Sequence, residues 1–227
     1  MPPSEQRVSK NMLRKICLMV AATMFITAPS SAQESAPDTT AAESVPAEEN
    51  MLHLDLSTGG RVTIQLYPSM APNHVERIKT LTRSGFYDGI IFHRVIEGFM
   101  AQTGDPTGTG LGGSELPDLK AEFHRFPHLR GVVSMARAQS EDSANSQFFI
   151  LFYPRFSLDE NYTVVGRVTA GMPFVDAIQR GEPPTTPSQI LQASIAADNK
   201  PPPARSAPAI APEAEITIDD LNAPINP

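Results

Sequence analysis

The stretch "MLHLDLSTGGRVTIQLY", residues 51–67, constrains the fold more than any other part of the 227-residue chain. Leu52, Leu54 and Leu56 fall on one face of an extended backbone, and Val62, Ile64 and Leu66 repeat the two-residue period. Gly59 and Gly60 supply the reversal between them, so the stretch predicts a β-hairpin with one face against a core. The period then changes. In "PNHVERIKTLTRSG" the residues Val75, Ile78, Leu81 and Thr82 share a helical face, with Pro72 suited to the first turn and Gly85 to the stop. "GVVSMA", "SQFFILF" and "YTVVGRVT" read as further strands, and "QILQASIAA" as one that completes the sheet. "GMPFVDAIQRG" reads as a second helix, with Pro173 near its start and Gly181 after its end. Many antiparallel strands and two helices predict a mainly β fold closed into a barrel, since closure removes exposed strand edges.

This pattern occupies only part of the chain. Arg7, Lys10, Arg14 and Lys15 precede the short apolar run "ICLMVAATMFITA", and "PSSA" follows. That order predicts a signal peptide over residues 1–32, cleaved after Ala32, with Met12 as an alternative start. An uncleaved membrane anchor is the competing reading; once the signal is cleaved, no stable membrane insertion is expected. Cys17, the only cysteine, leaves with the signal, so the fold must be held by its core rather than by a disulfide. Residues 33–50 are Ala, Ser, Thr, Pro and acid, and predict a disordered linker. Residues 51–198 form the expected domain, and residues 199–227 a Pro/Ala-rich disordered tail in which "EITIDDL" is the one strand-like segment. Net charge is −7 with no basic patch, which argues against nucleic acid as a partner.

Several reactive chemistries are poorly served. "GDPTGTGLGG" lacks the Gly-Lys-Ser/Thr ending and following helix of a phosphate cradle, so it reads as a flexible surface loop. His124 and His128 are four apart, but Pro127 between them argues against a helix presenting both to a metal. Ser134 and Ser146 lie in strand-like runs without a nucleophile elbow, and read as structural hydroxyls. "FHRVIEGFMAQTGD", residues 92–105, is different. It sets one arginine, Arg94, among apolar neighbours, where a cation needs a partner; Gln102 and Gln147 are the candidates. Phe99, Met100, Phe148, Phe149, Leu151 and Phe152 exceed what a barrel interior requires, which leaves some for a surface pocket.

"FHRVIEGFMAQTGDPTGTGLGG" followed by "SMARA" and "SQFFI" resembles the cyclophilin-type peptidyl-prolyl cis-trans isomerases of the short-looped bacterial kind. The resemblance covers residues 51–198, with three blocks in the family's order and spacing. It implies an eight-stranded antiparallel β-barrel capped by two α-helices, with the site on the outer surface. By position, Arg94 matches the catalytic arginine and Gln102 the residue that orients it. Phe99, Met100, Phe149 and Leu158 match the pocket for the proline ring, Gln147 a polar wall, and Ala136, Arg137 and Ala138 the edge whose backbone binds the substrate chain. Tyr162 stands where eukaryotic members carry His, Ser157 where they carry Trp, and Arg137 where they carry Asn. The Ser157 change predicts weak inhibition by cyclosporin. His93 is taken as structural. The implied substrates are proline-containing polypeptides, with exported clients folding in the periplasm or outside the cell; neither a cofactor nor a metal is implied, and a monomer is expected. The alternative is a proline-peptide-binding chaperone or scaffold with incidental isomerase activity.

Overall fold

The structure is a computed structural model, and it describes residues 47–204. The expected signal, most of the linker and the "EITIDDL" segment lie outside the described residues. The hairpin forms where the alternation places it: β1 (Met51–Leu56) pairs with β2 (Gly60–Leu66), with Leu54 opposite Val62 and Leu56 opposite Gly60. Gly59 turns the chain at φ +101°, and a side chain at Gly60 would collide with the Phe174 ring. The last four residues of the expected linker, Ala47–Asn50, form a 3-10 helix tied to the domain. Glu49 pairs with Arg83 at 2.8 Å, and Lys79 donates to the Asn50 side chain at 2.8 Å.

Helix α1 (Pro72–Arg83) buries Val75, Ile78, Leu81 and Thr82, the face its period specifies. Its N-terminal amides have no side-chain cap from Ala71. Glu122, far along the chain, accepts from the Asn73 and His74 amides at 3.2 and 3.1 Å instead, a favourable place for an anion. The remaining elements are β3 (Arg94–Ile96), β4 (Met100–Thr103), β5 (Val132–Met135), β6 (Phe148–Leu151), β7 (Val164–Ala170), α2 (Met172–Asp176) and β8 (Ile190–Ile195). The second helix is shorter than the sequence predicts. Arg180 donates back to the Asp176 carbonyl at 2.7 Å and to the Ile178 carbonyl, so a side chain takes up carbonyls that further turns would have used.

The eight strands are antiparallel, in the order β3-β4-β6-β5-β7-β2-β1-β8. The expectation of a closed barrel is corrected here: the sheet is an open, curled half-barrel with β3 and β8 at its edges. Across the seam, pairing shrinks to the isolated bridges Ile91↔Gln189 and Val95↔Gly181. The cause lies in "GEPPTTPSQ": Pro183, Pro184 and Pro187 have no N–H to give, so a continuous ladder cannot form along it.

Because the sheet curls, the strands β3, β4, β5 and β6 meet apolar material on both sides. β6 shows it most simply. Phe148 and Ile150 join the inner core with Leu54, Ile64, Val75 and Val175, so both helices pack on that side. Phe149 and Leu151 alternate to the outer side, where they cluster with Met100, Val132 and Val164 under Leu158, Tyr162 and Phe126. Neither α-helix contributes to the outer cluster; loops and the 3-10 helix Phe156–Leu158 cover it.

Candidate active site

Arg94, Gln102 and Gln147 come from three neighbouring positions of the sheet. Arg94 on β3 lies opposite Gln102 on β4, and Gln147 just precedes β6, which pairs with β4. The side chains form a relay. Gln147 Nε2 donates to the Gly112 and Gly110 carbonyls at 2.7 and 3.1 Å, which leaves its Oε1 to accept from Gln102 Nε2 at 2.8 Å. That fixes the Gln102 amide with its oxygen toward Arg94, whose Nη1 lies 3.5 Å away. The 3.5 Å contact is long, and the close partner of Arg94 is another residue: Nε donates to Glu182 Oε2 at 2.8 Å. Glu182 was not a candidate from sequence. It is 88 positions from Arg94 in a Pro-rich segment, and only the seam brings it in. Val95 and Gly181 exchange two backbone hydrogen bonds, 2.8 and 2.9 Å, which carries the next residue, Glu182, opposite Arg94.

The glycine-rich run that follows is pinned, not slack as the sequence reading expects. Asp105 is buried and accepts from the Thr107 amide at 2.7 Å, the Thr107 hydroxyl at 2.8 Å and the Gly110 amide at 2.6 Å. Burial pushes the Asp105 carboxyl up, but the hydrogen bonds from Thr107, Gly112 and Gly110 outweigh it and hold the carboxyl down at about 2. The loop anchored by Asp105 supplies the carbonyls that hold Gln147. Asp105 thus supports Arg94 through three intermediates, and nothing in its local sequence distinguishes it from an ordinary turn aspartate.

A cavity of about 250 Å³ opens beside this relay on the outer face. It is lined by Arg94, Phe99, Met100, Gln102, Ala136, Arg137, Phe149, Leu158 and Tyr162. Met100 and Phe149 rise from the outer core, and Phe149 meets Tyr162 edge-on at 5.8 Å between ring centroids. Leu158 comes from a 3-10 helix, Phe156–Leu158. The two other sequence candidates, Ala138 and Gln147, line an adjoining cavity of about 420 Å³ that shares Gln102, Ala136 and Arg137 with the first. All eleven candidates therefore fall around one connected depression. Arg137 bends over the Tyr162 ring at 4.9 Å, and Arg155, absent from the sequence candidates, lies over Phe99 at 4.7 Å.

The buried polar residues serve as framework. His128 Nδ1 meets Asp159 Oδ1 at 2.8 Å, and its Nε2 meets the Ser134 hydroxyl at 3.0 Å. The order acid, imidazole, hydroxyl is that of a hydrolytic triad, but His128 and Ser134 are fully buried, so no substrate reaches the hydroxyl. Burial pushes His128 below the usual imidazole range, against the opposing pull of Asp159. Asp159 directly follows Leu158, so this line braces the cavity wall against β5. His93 is buried behind the glycine-rich run, and burial lowers its pKa as well. Ser146 donates to the Gly104 carbonyl at 2.7 Å, a structural role for that hydroxyl.

The 250 Å³ cavity is lined by apolar walls, two guanidinium groups, one side-chain amide and a phenol. With the curled antiparallel sheet beneath it, that combination defines a class: a mainly β protein with an apolar pocket flanked by cations on the outer face of its sheet. Residues 53–195 match the family model of cyclophilin type peptidyl-prolyl cis-trans isomerases, and the chain belongs to that family. It is 47% identical over 168 residues to a probable peptidyl-prolyl cis-trans isomerase from Brucella suis, covering 67% of this chain and 85% of that one. Peptidyl-prolyl cis-trans isomerase B of Bacillus subtilis is 42% identical over 129 residues, 56% of this chain and 89% of the relative. Among solved structures, a cyclophilin from Hirschia baltica superposes with a TM-score of 0.63 at 30% identity, over 68% of this chain and 76% of that one. A Cryptosporidium parvum cyclophilin-type isomerase, crystallised in the presence of the dipeptide Ala-Pro, gives 0.60 at 28% identity, over 64% and 98%. The chain is a cyclophilin-type peptidyl-prolyl cis-trans isomerase.

Proposed function

We propose that the chain accelerates rotation about X–Pro bonds in exported polypeptides by aiming the Arg94 guanidinium at the prolyl nitrogen. The observation that carries this reading is Arg94 itself, bound through Nε to Glu182 at 2.8 Å at the rim of an apolar cavity. Amide resonance sets a barrier of about 18–20 kcal/mol, and uncatalysed exchange takes roughly 10–100 s. In the twisted state the nitrogen becomes pyramidal and regains a lone pair that the planar states lack. A fixed donor aimed there stabilises the twisted state selectively, which is what lowers a barrier. Arginine suits the task because its charge is permanent and its planar fork can be held at one edge while another donates. Phe99, Met100, Phe149 and Leu158 grip the proline ring and exclude water, Gln102 and Gln147 orient the guanidinium, and the backbone of Ala136, Arg137 and Ala138 binds the chain beside Tyr162.

Removing one such preorganised donor costs about 10²–10³-fold in rate. Arg94→Ala is therefore expected to lose kcat/KM by that order in a protease-coupled proline-peptide assay, with its circular dichroism unchanged. Turnover near wild type would sink the assignment. The basic lead and short apolar run of residues 1–32 support a periplasmic or secreted setting. N-terminal sequencing of the exported protein tests this, with Gln33 the expected first residue and an intact N-terminus the contrary result.

A further inference from the structure

Two cations at the rim of the cavity have no carboxylate partner among the described residues. Arg137 donates only to backbone carbonyls, to Asn161 at 3.3 Å, Ala138 at 3.1 Å and Gln139 at 3.2 Å. Arg155 stacks on the outer side chain of Phe99, with no ion pair of its own. Both guanidinium groups are thus laid against aromatic walls of the site, an arrangement that suits arginine's weak hydration and holds its charge in place. Three acids of the neighbouring segments are already engaged. Glu182 is bound to Arg94 at 2.8 Å, Glu160 to Arg125 at 3.1 Å, and Asp159 accepts from both the amide and ring of His128 at 2.8 Å. Arg137 and Arg155 therefore stand beside the site with no ion pair of their own among the described residues, on a chain whose net charge is −7.

Resting on the isomerase reading above, we propose that the site selects prolines flanked by acidic residues, with Arg137 and Arg155 as its specificity-determining cations. The proline occupies the apolar cavity, and a Glu or Asp within a few residues of it reaches one of the two arginines. Arg155 can receive a carboxylate on two nitrogens of its planar fork once its stacking has fixed the plane, whereas Arg137, whose Nε and Nη1 are already given to backbone carbonyls, has a single Nη2 hydrogen left for one. Long-range attraction adds to the encounter rate and fades as salt screens it.

The test uses the full chain and three peptide series identical except for Glu, Gln or Lys at the positions flanking one proline. Exchange rates come from NMR, which needs no coupling protease, and Kd from fluorescence anisotropy on the same peptides. The expected order is Glu above Gln above Lys, with Glu favoured over Gln by about five-fold per engaged arginine in dilute buffer and the gap narrowing at high salt. Arg155→Gln is expected to bring the Glu-to-Gln ratio down toward one, and Arg155→Lys to restore part of it; Arg137→Gln lowers the same ratio. Equal values for Glu and Gln peptides in the wild type, or a ratio unmoved by both Gln variants, overturns the proposal. The anisotropy arm separates it from the parent reading: a Glu preference in Kd without turnover upholds the specificity and removes the isomerase mechanism, whereas turnover without any charge preference does the reverse.

Discussion

Removing the Glu182 carboxylate tests how Arg94 is held, and its sign is the informative quantity. Glu182 stands opposite Arg94 because Val95 and Gly181 are locked by two backbone hydrogen bonds across the seam. Its contact is to Nε, so the terminal nitrogens remain for Gln102 and for a bound substrate. If the pair orients the guanidinium, its loss weakens catalysis; if it sequesters the charge, its loss strengthens catalysis. The geometry favours orientation, since the engaged nitrogen is the one nearest the side-chain stem. Both side chains are about half exposed, 42% and 51%, so water screens the pair and its contribution is about 0.2–1 kcal/mol. Glu182→Ala is therefore expected to lower kcat/KM by about 1.4–5-fold, mainly through kcat, because a positioned donor matters most in the twisted state. Glu182→Gln keeps an acceptor oxygen and should fall between that value and wild type. The melting temperature should move by no more than about 2–4 °C in either variant. The assay is a protease-coupled rate at several peptide concentrations, with calorimetry beside it. A rise in kcat/KM for Glu182→Ala would refute the orienting role and make the carboxylate a brake.

Phe149→Ala removes a side chain that is 5% exposed and forms both outer core and cavity floor. Such truncations cost about 3–5 kcal/mol, and the open cavity on one side puts this one near the lower figure; calorimetry should record a fall of about 6–12 °C. A change below about 1 kcal/mol would mean the outer cluster contributes little to the fold. Stability should also depend on pH through the depressed imidazoles, chiefly the three buried ones beside the half-buried His53. Burial first, ahead of any partner, lowers the pKa of His74, His93 and His128. A histidine depressed in the folded state leaves the unfolded chain binding more protons below its ordinary value of about 6.5. The stability they contribute is complete above that pH and is lost as pH falls through their lowered folded values. Urea midpoints at pH 7.5 and 5.5 should therefore differ, with the lower midpoint at 5.5, while Asp105, held at about 2, gives up its contribution only between about 3.8 and 2. Equal urea midpoints would show that these rings are not buried neutral.

What the sequence discloses here depends on how many faces of an element are wet. β1, β2 and α1 have one solvated face, so their periods are plain and Leu54, Ile64 and Ile78 are where the spacing puts them. The β3–β4 hairpin was not legible as strand, because Val95 and Ala101 face the inner core while Ile96 and Met100 face the outer cluster. A strand covered on both sides has no polar face to alternate with. The same double burial accounts for the excess of aromatic residues: with Phe148 spent inside, Phe149 had to be accommodated on the other surface. Long-range pairing was the part that could not be read. The seam opened because three prolines interrupt one short segment, and that same segment delivers Glu182 to Arg94. The arginine was visible as a cation in need of a partner, but the partner lay where the chain read as loop. A sequence motif can therefore show a cation in need of a partner while remaining silent on the partner, since the first stands in a local pattern and the second need only arrive across the fold.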